Sequence, residues 1–477
     1  MCDNILGKKI GIWGYGVVGK SAYKLLSKYT DKIEVFDQNN LEDKNINQNF
    51  NLETFLNNDY IIVSPGIDTR KYRNSGINFL SEVDLFYKFY KGHIIALTGT
   101  VGKTTTVNLL QQILRKYRNI TLGGNVGIPM LDLTGSCFPT THKVTSDKRY
   151  TDFSELQKGE GDRPIISSDS VGMVSRDVIL ELSSFQLEYS EQFAPDLAIL
   201  TNFSANHLDR HSTLEEYFSA KYNLFIYQNS DQKALVPLNL IDKFNILKPK
   251  SEIFYFAIEP KESEISKLKE SDKLFYIKDG YLELMSHNSS KRIVDIKLIP
   301  ELTYLENWLA ICAASYLENI KLGEKDFKAD FKIPEHRLER FANYKGAIFY
   351  NDSKSTVIES TLNAIKKINS ENLLLILGGL SKGIDRSDLI KNCVRKVKKI
   401  YLFGKEADAL KHFCDVYGIS AEKFDNLENV TEQIFCDIKE GDQVLFSPAG
   451  SSYDLFKNYE ERGKKFKELI LEHINSV

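Results

Sequence analysis

What this chain lacks narrows its class before any motif is considered. Its 477 residues contain no run of eighteen or more apolar residues and no apolar leader at the amino end, so neither a membrane-spanning nor a secreted protein is expected. Cysteine is sparse. The six (Cys2, Cys137, Cys312, Cys393, Cys414 and Cys436) are scattered without a CxxC pair, which argues against a disulfide framework and against a metal cluster. Neither sign of charge prevails: 62 Lys and Arg against 65 Asp and Glu leave a net charge of −3 and a pI near 6.3, with no basic footprint for nucleic acid. No internal repeat of 20–50 residues is evident. Hydrophobic residues, at 42%, suffice for sizeable cores, and the length exceeds what one core supports. A cytoplasmic chain of two to four domains follows.

The most informative string is IIALTGTVGKTTTV, from Ile94 to Val107. An apolar strand runs into Gly99 and Gly102, then Lys103, Thr104 and Thr105, and the pattern VNLLQQIL continues as a helix. Glycines let backbone N–H groups close around phosphate oxygens, and the helix aims its positive end at them. Lys103 is placed to reach the β- and γ-phosphates, and the Thr104 hydroxyl to ligate Mg²⁺. The spacing is a shorter variant of the common GxxxxGK[ST] loop.

Strands alternate with helical stretches along the whole chain, which predicts α/β domains with parallel sheets. Near the amino end, KKIGIWGYGVVGKSAYKLL carries GxGxxG at Gly14, Gly16 and Gly19, with Asp37 at the distance of a ribose-binding acid. A bare GxGxxG also serves any tight strand–helix turn. DYIIVSPGID is a further strand, stopping at Ser64-Pro65-Gly66. VILELSS (178–184) ends near Glu181, whose carboxylate should emerge beside the phosphate loop, where it can hold Mg²⁺. LAILTNF (197–203) leads into NHLDRH, dense in charge, with His207 a plausible ligand for metal or phosphate. Lys221 lies on the helix TLEEYFSAKYNLFIY. Spacing leaves open whether it snorkels to solvent or turns into the site. Between about residues 133 and 177 the chain is polar and aperiodic, as in a solvated loop or insertion. A third α/β unit starts near Ile333, with strands AIFYNDS, LLLILGG, KIYLFG and QVLFSPA and a charged amphipathic helix from Tyr453. Its turns NDSKST, GGLSKGID and SPAGSSYDLF put hydroxyls and Lys382 at one sheet edge.

Taken in order, these strings, with GGNVGIP (123–129), ELSSFQLE (181–188), SAK (219–221), HRLE (336–339) and FKNYEERGKKF (456–466), resemble the Mur ligase family over nearly the whole chain. ELSSFQLE and the last string are similar to the branch that adds D-glutamate. The resemblance implies three α/β domains: 1–92, a Rossmann-like domain for the UDP-linked substrate; 93–332, the ATP-binding domain; and 333–477, a Rossmann-like domain for the amino acid. It implies an ATP- and Mg²⁺-dependent ligase acting in the cytoplasm in peptidoglycan precursor synthesis, its substrates aside from ATP being UDP-N-acetylmuramoyl-L-alanine and D-glutamate. A monomer without nucleic-acid or membrane partners is expected.

Carried over residue by residue, the resemblance implies that Gly99, Thr100, Val101, Gly102, Lys103, Thr104 and Thr105 bind ATP phosphates, and Asn307, Arg337 and Asp352 the adenosine. Thr104, Glu181, His207 and Lys221 (as a carbamate) would serve the metal, with Lys103, Lys221 and His207 catalytic. Val17, Val18, Asp37, Gly66, Asn125 and His207 match the UDP-substrate site. Lys354, Thr356, Lys382, Ser452 and Phe456 match the D-glutamate pocket. The chain departs from the family at Val101, where an asparagine is usual, at Asn206 and Ser381, where acids are frequent, and at Leu302 to Glu306, which lack the usual glycine and histidine. Another Mur-type or folylpolyglutamate-type amino-acid ligase, a non-catalytic nucleotide binder and a nicotinamide oxidoreductase are the competing readings.

Overall fold

The computed structural model describes residues 7–38, 46–48, 50–134, 177–208, 210–287, 289–332 and 335–476. Most of the polar segment expected between about 133 and 177 therefore lies outside the described residues. The described chain forms three sheets and divides into two compact units, one of Met1–Phe203 with Glu215–Lys332, the other of Ser204–Leu214 with Ile333–Val477.

The first unit opens with a parallel five-stranded sheet, in the order Ile46–Asn47, Ile33–Phe36, Ile10–Trp13, Tyr60–Val63, Phe79–Leu80. Its central strand, IGIW, is buried throughout, as expected of a strand covered on both faces. The helix Val17–Leu26 follows the glycine turn and buries Ala22, Leu25 and Leu26. The second sheet has nine strands. Seven are parallel, in the order Lys273–Lys278, Glu252–Ala257, Lys233–Pro237, Leu197–Leu200, Ile94–Thr98, Asp177–Glu181, Ile120–Gly124. The meander Tyr281–Ser286 and Ser289–Asp295 extends it antiparallel. One face is covered by Lys103–Leu114 and by the helix Leu305–Leu317, which is apolar nearly all round and correspondingly buried.

The first two sheets share a hydrophobic core: Ile10, Ile12, Leu26, Val83 and Phe86 belong to the same cluster as Met130, Leu180, Leu187 and Phe193. Polar bonds fix the joint. The Asp84 carboxylate, on the helix Glu82–Phe89, accepts from Ser190 Oγ (2.7 Å) and from the backbone N–H groups of Glu191 (2.6 Å), Gln192 (3.2 Å) and Phe193 (3.1 Å). Thr69 and Tyr189 share a hydroxyl bond of 2.6 Å, and Arg73 pairs with Glu188 at 2.7 Å.

The second unit holds a six-stranded sheet, in the order Glu339–Tyr344, Ala347–Asn351, Gln443–Phe446, Leu373–Leu377, Lys399–Phe403, Ala421–Phe424, antiparallel only at the first pair. The closing helix starts at Tyr459, not Tyr453, because Ser452–Phe456 is spent in a turn: Ser452 O accepts from the N–H groups of Leu455 and Phe456. Two buried arginines tie the turns of this unit. Arg462 donates to Ser353 Oγ, Ser353 O and Gly450 O, and Arg386 to Gly378 O, Gly379 O and Glu406.

Replacing Asp84 with alanine removes the acceptor of the buried Phe193 N–H and of the Ser190, Glu191 and Gln192 donors, so urea denaturation of Asp84→Ala should show a loss of about 1–3 kcal/mol of unfolding free energy. A loss below about 0.5 kcal/mol would place the joint elsewhere.

Candidate functional site: a phosphate loop at a parallel sheet edge

The strand Ile94–Thr98 is wholly buried and releases the chain at Gly99. A Cβ at Gly99 would stand 2.0 Å from Thr201 Oγ1, so only glycine lets the loop pass the neighbouring strand end so closely. Gly102 has φ of +79° and caps the helix Lys103–Leu114 without a side-chain bond. A Cβ there would lie 2.5 Å from Asn307 Oδ1, which places Asn307 directly against the loop. Lys103 Nζ donates to the carbonyls of Gly99 (2.9 Å) and Thr100 (3.0 Å). Thr104 and Thr105 sit in the first helical turn, whose N–H groups have no acceptor within the helix.

Glu181 closes the adjacent strand and is 1% exposed, so it is no solvent-facing acid. Asn125 Nδ2 donates to its Oε1 (3.1 Å), while its Oε2 is buried without a hydrogen-bond partner. Lys221 does not snorkel. It is 1% exposed, donates to Gly99 O (2.8 Å) and Thr98 Oγ1 (3.4 Å), and has its Nζ 4.6 Å from the Tyr217 ring centroid. Burial holds its pKa well below the ordinary lysine value. The charge of Lys103 pushes the same way and that of Glu181 opposes them.

At the carboxyl edge of the first sheet is a cavity of about 880 Å³. Val17, Val18, Asp37 and Gly66 line it, with Trp13, Ser64, Arg70 and Lys71 among their neighbours. The Asp37 carboxylate accepts from Tyr15 N–H (2.6 Å). Asn125, grouped with these four from sequence, bonds to Glu181.

The remaining residues belong to the second unit. His207, in the segment Ser204–Leu214, has φ of +55°, and its carbonyl accepts from Arg210 and His211 N–H. Asp352 is buried and accepts from Leu338 N–H (3.0 Å), Ser355 Oγ (2.5 Å) and Ser447 Oγ (2.7 Å). Burial pushes its pKa up, against the charge of nearby Arg337. Lys382 Nζ reaches Thr356 Oγ1 (3.4 Å), Lys354 Nζ lies 5.0 Å from the Tyr459 ring centroid, Ser452 is buried, and Phe456 packs against the cluster around Phe446. Sequence reasoning passed over Thr201, Asn202, Arg386 and Arg462. Only the hydroxyl and amide at a strand end hinted at the first two, and nothing local marked the arginines.

A buried parallel strand, a glycine loop, a lysine and a helix start, with a buried carboxylate on the next strand, define an α/β phosphate-binding protein. The Mur ligase middle domain matches residues 97–315. The chain is 31% identical to the UDP-N-acetylmuramoylalanine–D-glutamate ligase of Thermoanaerobacter pseudethanolicus over 98% of each chain. It is 32% identical to that of Acidobacterium capsulatum over 98% of this chain and 97% of the relative. It belongs to the Mur ligase family. Its fold is shared with the pseudomurein peptide ligase type C of Methanothermus fervidus (TM-score 0.55, 14% identity, 98% and 100% of the two chains covered). It is also shared with E. coli FolC in complex with ADP (TM-score 0.52, 14% identity, 83% and 93% covered).

Gly102→Ala should cost about 1–3 kcal/mol in urea unfolding, through the left-handed backbone and the encounter with Asn307. Gly16→Ala, where a Cβ meets nothing within 4 Å, should stay within about 0.5 kcal/mol. Equal costs at the two positions would contradict the packing described at the loop.

Proposed function

We propose that this chain catalyses the ATP-dependent addition of D-glutamate to UDP-N-acetylmuramoyl-L-alanine, a step of peptidoglycan precursor synthesis, releasing ADP and phosphate. One observation carries the reading. Relatives named for that reaction align end to end, and the site built around Gly99 has the parts the reaction needs.

A carboxylate is a poor acyl donor. Transfer of the γ-phosphoryl group from ATP to the substrate carboxylate gives an acyl phosphate and ADP. The amine of D-glutamate then attacks the carbonyl carbon, and the tetrahedral intermediate collapses with loss of phosphate and a proton. Lys103 and the first-turn N–H groups spread the charge of the transferring phosphoryl group. Glu181 Oε2, buried and without a hydrogen-bond partner, suits a hard cation. Thr104, Glu181, His207 and Lys221 as its carbamate would hold Mg²⁺, which supplies further neutralisation of phosphate charge when bound.

Burial makes Lys221 a ready carbamate precursor. Its depressed pKa frees the amine lone pair, which adds to CO₂ to form the N–C bond and release a proton, turning a cation into an anion. The cavity of the first sheet takes the UDP moiety through Val17, Val18, Asp37 and Gly66, with Asn125 and His207 completing that substrate's contacts. Gly99, Thr100, Val101, Gly102 and Thr105 line the ATP phosphates, and Asn307, Arg337 and Asp352 hold the adenosine. Lys354, Thr356, Lys382, Ser452 and Phe456 take D-glutamate. The division into 1–92, 93–332 and 333–477 assigns the UDP-linked substrate, ATP and the amino acid to the three sheets in turn. The enzyme works as a cytoplasmic monomer. Among the described residues no helix is long and apolar enough to cross a membrane.

Phosphate release from ATP should require both UDP-N-acetylmuramoyl-L-alanine and D-glutamate. Lys221→Ala should be nearly inactive and partly restored by acetate or formate, which can occupy the vacated space. Lys221→Arg cannot form the carbamate and should be inactive with or without acetate. An active arginine variant would sink the carbamate assignment.

A further inference from the structure

Val101 brings no polar side chain to the phosphate loop, yet the loop is held firmly at that point. The strand Leu197–Leu200 continues into Thr201 and Asn202, and the Asn202 carboxamide faces the loop backbone. Its Oδ1 accepts from the N–H groups of Thr100 (3.1 Å) and Val101 (2.9 Å), and its Nδ2 donates to the Val101 carbonyl (2.9 Å). Thr201 Oγ1 donates to the same carbonyl (3.0 Å), and the backbone carbonyl of Asn202 accepts from Thr100 N–H (3.2 Å). One side-chain amide therefore satisfies both donors and the acceptor of a turn that a glycine on either side leaves otherwise pliant.

We infer that Asn202 is a positioning residue for the nucleotide. By binding the N–H groups of Thr100 and Val101, it turns them away from the phosphates and leaves the cradle to Gly102, Lys103, Thr104 and Thr105. The clasp also sets the Gly99 and Thr100 carbonyls to which Lys103 bonds, and so the starting position of that ammonium group. This rests on the nucleotide-binding reading and refines it, dividing the seven-residue loop into a clasped half and a phosphate-binding half.

Residue-resolved amide exchange on the wild-type protein tests the division without any variant. The Thr100 and Val101 amides should be protected before nucleotide is added and unchanged by ADP, whereas those of Gly102 to Thr105 should gain protection. If Thr100 and Val101 gain protection only with ADP, the clasp is overturned. If ADP protects no part of the loop, nucleotide binding there fails, while protection in the ADP-free protein still decides the clasp. Asn202→Leu keeps similar bulk and loses all three side-chain bonds. It should raise KM for ATP by about tenfold or more and leave the KM values of the other two substrates within about twofold. An Asn202→Leu enzyme with unchanged KM for ATP, or with all three KM values raised together, would overturn the assignment.

Discussion

Two lysine amino groups, those of Lys103 and Lys221, converge on the carbonyl oxygen of Gly99 at 2.9 and 2.8 Å. Charging both on one acceptor is unfavourable when one is almost wholly buried, and burial together with the charge of Lys103 holds the Lys221 pKa well below the ordinary lysine value. The buried Glu181 carboxylate nearby, with one oxygen lacking a hydrogen bond, is unfavourable in the opposite sign. Such an arrangement makes sense where a polyanion and a cation are to be bound, because strain of this kind is retained at functional sites and offset elsewhere.

The offset comes from the sheets. Ile94–Thr98 is flanked in parallel register by Asp177–Glu181 and Leu197–Leu200, so three strand ends deliver Gly99, Glu181 and Thr201 to one edge. Helices on one face, and a core shared with the first sheet on the other, keep those ends from separating. Asp84 and its four bonds hold the chain just beyond ELSSFQLE, the stretch that follows Glu181, against the first sheet. Parallel strands thus do for the site what no local sequence could: they place residues about 80–120 positions apart within bonding distance.

Much of this was legible in the sequence because it depends on local order. The apolar run before Gly99, the helix after it, and the strand stops at Glu181 and Gly66 are patterns of a few residues, and the sheets follow them with ends shifted by one to three positions. Val17, Val18, Asp37 and Gly66 do share one cavity. What escaped reading is long-range. The environment of Lys221 could not be inferred from a helix of mixed polarity. Asn125 belongs beside Glu181 because of a register between strands. Asn202 and Arg462 act through backbone groups distant in sequence, and a backbone acceptor has no residue type to betray it. The start of the last helix was misplaced because the turn at Ser452–Phe456 competes with the helical pattern that follows it.

The central claim is that the substrate carboxylate is activated by the phosphoryl group of ATP before the amine arrives. Its most direct test is oxygen transfer. UDP-N-acetylmuramoyl-L-alanine carrying ¹⁸O in both carboxylate oxygens should pass one labelled oxygen to the inorganic phosphate in each ligation and keep the other in the new amide. Unlabelled phosphate, released in step with ligated product, would contradict the acyl-phosphate route.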